Sequence, residues 1–201
     1  MKMSEELQKY LPFGYLYLVV MGLFKESIFF YQLGINILKY SSVMDILISP
    51  VADLASHPIV FVGLLIVILI IYLIINKVTK RHDKVWVRKL IGIAENNTIT
   101  AEEINSKIAN TLLKYIAIVI FAFFMGIGIG GGNKIANKIK DNTLTFDYKI
   151  TFNSGESENI SMISSNSLYY FYLTQGQKSI KISPIASVKY LELSNNKKLD
   201  K

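Results

Sequence analysis

The chain has no cysteine in 201 residues, which excludes a disulfide scaffold, a thiolate metal site and a cysteine nucleophile. Histidine occurs only as His57 and His82. Asp45, Asp53 and His57 share a loop, but their spacing puts no ligand set on one helical face, so no metal or other cofactor is expected. There is no Ser/His/Asp set, no nucleophile elbow and no carboxylate pair placed for acid–base work, so an enzyme is not expected. Charge is scarce too: Asp, Glu, Lys and Arg make up 18% of the chain, against roughly 25% in soluble domains. What replaces it is apolar, at 51% hydrophobic residues. The balance describes a small integral membrane protein.

Three apolar stretches stand out. Ile59–Ile75 runs seventeen residues without a charge, within the length of about 17–25 that a spanning helix needs. Pro58 stands at its start, where a helix tolerates it. Leu112–Gly132 contains one charge, Lys114, near enough to its end to snorkel to the interface. The first stretch, residues 10–38, is interrupted by Lys25 and Glu26. A span is favoured here, with a half-membrane hairpin or a tilted interfacial helix as the alternative; in a span the two charges must face protein or water. The N-terminal region mixes Lys2 and Lys9 with Glu5 and Glu6, unlike a cleavable signal peptide. Between the first two stretches, Leu38, Val43, Ile46 and Leu47 recur near helical spacing. They predict either a short amphipathic helix on the membrane surface or a helical cap over the bundle, ending at Ser49-Pro50.

The connection from Asn76 to Lys114 is hydrophilic and holds eight Lys and Arg residues. Lys77, Lys80, Arg81, Lys84, Arg88 and Lys89, with Trp86 among them, suit a membrane-surface segment attracted to anionic lipid. Topology already accounts for this charge, so nucleic acid is not the expected partner. Thr100 and Glu103 form a capping box, and Ile99 and Ile104 a hydrophobic staple. Together they predict a helix from about Asp83 to Glu95, a turn at Asn96-Asn97 and a second helix running from Ala101 into the third span. Lys and Arg in short loops mark the cytoplasmic side. By that rule the basic loop lies inside and the chain beyond the third span lies outside. Lys134, Lys138 and Lys140 pull the other way, and a re-entrant third span would put the C-terminal domain inside.

After Gly132 the pattern changes to strands. LTFDYKITF alternates strictly over Leu144–Phe152, and NISMIS, LYYFYL, SIKIS and SVKYLEL follow between turn-forming breaks. The layout is therefore a transmembrane helical domain of three spans at residues 1–132, with a cytoplasmic basic helical hairpin at 77–114. A linker at 133–143 leads to a small all-β domain at 144–193, an SH3-like barrel or sandwich, and a tail at 194–201.

Two features invite functional readings. Gly126, Gly128 and Gly131 fit G-x-G-x-x-G, but a dinucleotide fingerprint needs a strand before and a helix after, and here a span precedes and a sheet follows. Gly126/Gly130 and Gly128/Gly132 are each four apart, the spacing that lets membrane helices approach closely. On the first stretch, Gly22, Lys25, Phe29, Gln32, Asn36 and Lys39 follow a 3-4-3-4-3 spacing. Lys25, Gln32 and Asn36, with Glu26 beside them, thus give a polar membrane face. That face serves either interhelical hydrogen bonding or an ion path through an oligomer.

FYQLGINILKYSSVMDILISP (residues 30–50), together with SNSLYYFYL and IKISP further on, resembles a group of small uncharacterised bacterial inner-membrane proteins. The resemblance implies a multi-pass protein of the bacterial inner membrane with no known activity, and carries over no functional residue. The expected function is a non-enzymatic scaffold or sensor subunit, in contact with membrane lipids, that forms a homo-oligomer and engages a protein partner through its β domain or basic loop. The alternative is an oligomeric ion channel or transporter using the polar face of the first helix.

Overall fold

A computed structural model describes residues 2–56, 58–79, 84–90 and 101–194. Helices α1 (Lys2–Tyr31), α2 (Val43–Ser56), α3 (Pro58–Thr79), α4 (Val85–Leu90) and α5 (Ala101–Lys140) precede five strands. The strands are β1 (Tyr148–Phe152), β2 (Ser157–Ser165), β3 (Tyr169–Thr174), β4 (Lys181–Pro184) and β5 (Val188–Leu193). Three helical segments, Leu11–Tyr31, Phe61–Val78 and Ser106–Lys140, are long and apolar enough to cross a membrane.

Helix ends follow local chemistry. α1 stops where Gly34 takes φ +75°: Ile35 N–H donates to the Phe30 carbonyl and Gly34 N–H to that of Tyr31, both at 3.0 Å. This is the Schellman pattern, closed by the residue that enters the left-handed region without a Cβ penalty. The polar face read from the sequence as continuing to Lys39 is therefore cut at Tyr31. α5 ends the same way, with Asn142 at φ 53° and Thr143 N–H on the Lys138 carbonyl at 3.0 Å. Most of the stretch read as linker, 133–140, is thus helix. α2 also overruns its expected stop, since Pro50 lies inside it rather than at its end. In the basic connection α4 covers Val85–Leu90 and α5 starts at Ala101; the turn at Asn96-Asn97, the Thr100 cap, Lys80 and Arg81 lie outside the described residues.

The five strands form one antiparallel sheet in the order β4-β3-β2-β1-β5. β1 begins at Tyr148, four residues later than the alternation from Leu144 suggested. Gly155 and Gly176 sit at positive φ in two of the hairpin turns. Successive residues of β3 point to opposite faces. On one face Tyr172 packs with Ile150 and Ile160; on the other Phe171 packs with Phe30 and Ile37.

The chain divides into two compact units, Met1–Pro50 with Met125–Lys201, and Val51–Phe124. The first joins α1, the start of α2, the end of α5 and the sheet. In the second, α3 buries Leu64 and Ile75 and leaves Ile59, Phe61, Leu65, Leu69 and Leu73 exposed.

Candidate functional site: the joint between the helices and the sheet

Three sets of contacts hold the first unit together. The first starts at Pro50, which lacks an N–H, so the carbonyl of Ile46 four residues back has no helical donor. That carbonyl lies against Gly22 of α1, inside the space a Cβ would need. Glycine is the one residue that lets the two backbones meet here. A turn further along α1, Lys25 Nζ donates to Glu26 Oε1 at 2.7 Å and to Ser49 Oγ at 2.8 Å, and the Ser49 hydroxyl donates to Glu26 Oε1. The Lys25 and Glu26 side chains are only 9% and 17% exposed, and their contact satisfies the rule that buried charge be paired.

The second set joins α1 to α5. A Cβ on Gly128 would stand 2.7 Å from the Lys25 carbonyl, and one on Gly132 2.7 Å from that of Phe29; Gly131 lies against the Phe29 ring. Contacts advance in step along both helices, so α1 and the end of α5 run parallel. Gln32 Nε2 bridges them, donating to the Ile129 carbonyl at 3.1 Å and to that of Gly128 at 3.4 Å. Gly126 and Gly130 face away, with nothing within 4 Å of a Cβ position. The four glycines therefore divide between two faces.

The third set clamps the sheet. Ser42 and Asp45 cap α2 reciprocally: Asp45 N–H donates to Ser42 Oγ at 3.1 Å and Ser42 N–H to Asp45 Oδ2 at 2.9 Å. The same carboxylate accepts from Ser167 in the β2–β3 turn, by N–H to Oδ1 at 3.0 Å and Oγ to Oδ2 at 2.9 Å. Next to it Asn166 Nδ2 donates to the Tyr40 carbonyl at 2.9 Å. Beneath the clamp the Phe30 and Phe171 rings lie 4.8 Å apart and Tyr40 packs edge-on against Tyr169 at 5.5 Å. The two stretches that carried the family resemblance, around residues 30–50 and 167–184, meet here.

Burial pushes the Asp45 carboxyl up, but the hydrogen bonds from Ser42 and Ser167 outweigh it and hold the group below its ordinary value of 3.8. A carboxylate depressed by folding stabilises above its unfolded pKa, and that contribution fades as pH falls through the folded value. The α2–sheet clamp is therefore expected to be intact at neutral pH and to weaken below about pH 4. Asp45→Asn should remove this dependence and lower stability by about 1 kcal/mol at pH 7, read by thermal unfolding in detergent at pH 7 and at about pH 3. An unchanged pH profile in the variant would assign the acid sensitivity to other groups.

The remaining candidate residues scatter. Asn36 Oδ1 accepts from Leu38 N–H at 3.2 Å and caps a short 3₁₀ turn at Ile37–Lys39, so it belongs to no helix face. Lys77, Lys84 and Lys89 are exposed and Arg88 is half-buried, beside the exposed Trp86 and the fully buried Val87. Among the described residues no three of His, Asp and Glu form a metal-binding group. Sequence reading missed the Asp45 clamp; Ser42-x-x-Asp45 was its one local signal, a capping box with Asp in the third position. Neither a family model, nor a curated protein, nor a solved structure matches this chain.

Proposed function

We propose that this chain is a non-enzymatic, multi-pass scaffold or sensor subunit of the bacterial inner membrane that oligomerises and engages a protein partner through its β domain or its basic connection. The observation that carries this reading is the joint itself. The Asp45 clamp and the Phe30–Phe171 contact tie the sheet to α1, and Gly128 and Gly132 tie α1 to α5. A partner that moves the sheet thereby moves two candidate spans, the coupling a membrane sensor needs. The strand order, the 3₁₀ turn at Ile185–Ser187 between β4 and β5, and the irregular register of β2 at Met162–Ser164 support an SH3-like barrel for that domain. Such barrels offer surface loops for protein docking.

For orientation, the basic connection favours the cytoplasm. α5 is one unbroken helix of 40 residues, about 60 Å long, which supports a full crossing rather than a re-entrant one and so an outward β domain. Conduction is the weaker reading, because Lys25 and Glu26 pair with each other and with Ser49 in a largely buried set.

The test has two arms. The absence of cysteine makes single-site labelling clean, so an impermeant maleimide on intact cells should modify Ser154→Cys and spare Lys84→Cys; the reverse pattern would make the β domain a cytoplasmic docking module. In liposomes the purified chain should pass no ions, and Lys25→Leu with Glu26→Leu should fold and leave that unchanged, since a buried pair replaced by apolar groups is often neutral. A flux present in the native chain and lost in the double variant would make it a channel.

A further inference from the structure

Met44, Ile48, Val51 and Ala55 of α2 stand at i, i+4, i+7 and i+11, and all four are exposed. That spacing lines them along one helix face, and every member is apolar. Ile46 and Pro50, on the other side, are buried, and Asp45 and Ser49 make the contacts to the sheet and to α1. The level of α2 along the spanning helices follows from these contacts. Ile46 meets Gly22 and Ser49 meets Lys25, midway along the apolar segment Leu11–Tyr31. Yet Asp45 holds Ser167 of the sheet, and Phe30 packs on Phe171. Hydrocarbon reaching Tyr31 would enclose a carboxylate and part of the β2–β3 turn, which lipid does not solvate. The hydrocarbon therefore ends near Lys25 on α1 and near Gly128, its neighbour on α5. Helix length agrees. The apolar segment Ser106–Lys140 has 35 residues, about 52 Å, against a hydrocarbon core of about 30 Å. Residues 106–127 fill that core at about 33 Å, and beyond them stand Asn133, Lys134, Asn137, Lys138 and Lys140. The other end of α2 reaches the same boundary, because α3 opens at Pro58 just after α2 ends at Ser56, and its apolar segment starts at Phe61.

We propose that α2 lies along the lipid surface, with Met44, Ile48, Val51 and Ala55 inserted among the acyl chains just below the headgroups. α1 beyond Lys25 and α5 beyond Gly128 then stand in water and carry the sheet. α2 contains no Lys or Arg, so its hold on the membrane is apolar insertion, unlike the attraction to anionic headgroups that suits the basic connection. Lipid is the cover because both ends of the helix meet the boundary at which the apolar segments enter the membrane. The placement requires that the chain span a membrane, and it holds whether the chain scaffolds or conducts.

Depth is read from single nitroxide labels on the full chain in phosphatidylcholine vesicles. Collisions with dissolved oxygen, which concentrates in lipid, are compared with collisions with a nickel chelate, which stays in water. Labels at Ile48→Cys and Val51→Cys are expected to favour oxygen at a depth of about 5–10 Å, shallower than a label at Leu69→Cys on α3. Labels at Tyr31→Cys and Lys134→Cys are expected to favour the chelate severalfold. Adding phosphatidylglycerol or high salt should leave the Ile48 result unchanged. A Tyr31 label as rich in oxygen collisions as the Leu69 label would carry hydrocarbon to the end of α1 and overturn the boundary. An Ile48 label that meets the chelate would put this face in water, and one that meets neither probe would give it to protein, a second copy or a partner. Insertion of Ile48 only with phosphatidylglycerol present would transfer the hold to headgroup charge. A Leu69 label that favours the chelate would mean that α3 does not span, and the membrane reading itself would fall.

Discussion

Phe171→Ala is expected to release the sheet from the helices and to lower stability by about 3–5 kcal/mol, the usual range for a large aromatic lost from a core. Phe171 is fully buried and sits with Phe30 and Ile37 at the centre of the cluster between the sheet and α1. Its ring also meets Tyr40 edge-on at 6.2 Å, so truncation removes contacts to both the helix and the segment after it. The opposite face of the sheet, built on Ile150, Ile160 and Tyr172, keeps its own packing. The variant should therefore retain strand content while the connection around residues 33–42 becomes open to protease. Thermal unfolding and limited proteolysis in detergent check this together. A native melting temperature with native protease resistance would mean that the cluster does not couple the sheet to the helix.

Gly22→Leu carries the second large effect. The Ile46 carbonyl belongs to the backbone and occupies the space a Cβ would need, so it cannot swing aside as a side chain would. Either α2 lifts from α1 or α1 bends. Overpacking costs about 1–3 kcal/mol where neighbours can adjust, and the loss here is expected at or above the top of that range. Displacing α2 also pulls Ser49 from Lys25 and Glu26 and strains the Asp45 clamp one turn earlier in the same helix. The matched control is Gly14→Ala on α1, where nothing stands within 4 Å. Alanine is the better helix former there, so stability should hold or rise. Equal losses from both substitutions would show that the close approach at Gly22 contributes nothing particular.

Much of the architecture was legible in local pattern. The uncharged run Ile59–Ile75 marks α3, and the turn-forming breaks between the alternating segments separated the strands of the sheet. Each of these is a decision made within a few residues by hydrogen bonding and side-chain alternation, so the linear order of residues suffices. The end of α1 was legible in principle as well, since Gly34 is the residue a Schellman stop needs; the apolar run through Leu38 hid it.

Packing decided the rest. Residues 133–140 remain helical because the chain turns only at Asn142, and α2 passes through Pro50 because the carbonyl that proline frees lies against Gly22. The four glycines of α5 look alike in sequence, yet Gly128 and Gly132 meet α1 while Gly126 and Gly130 face outward. The physical reason is common to all of these. Helices long and apolar enough to cross a membrane carry apolar residues on every side, so hydrophobicity does not say which face of such a helix meets protein. The long apolar helices, the strands and their turns are written in local residue order. Which helix face meets which neighbour, and that the Asp45 carboxylate joins α2 to the sheet beside the Phe30–Phe171 contact, are settled by packing between distant residues.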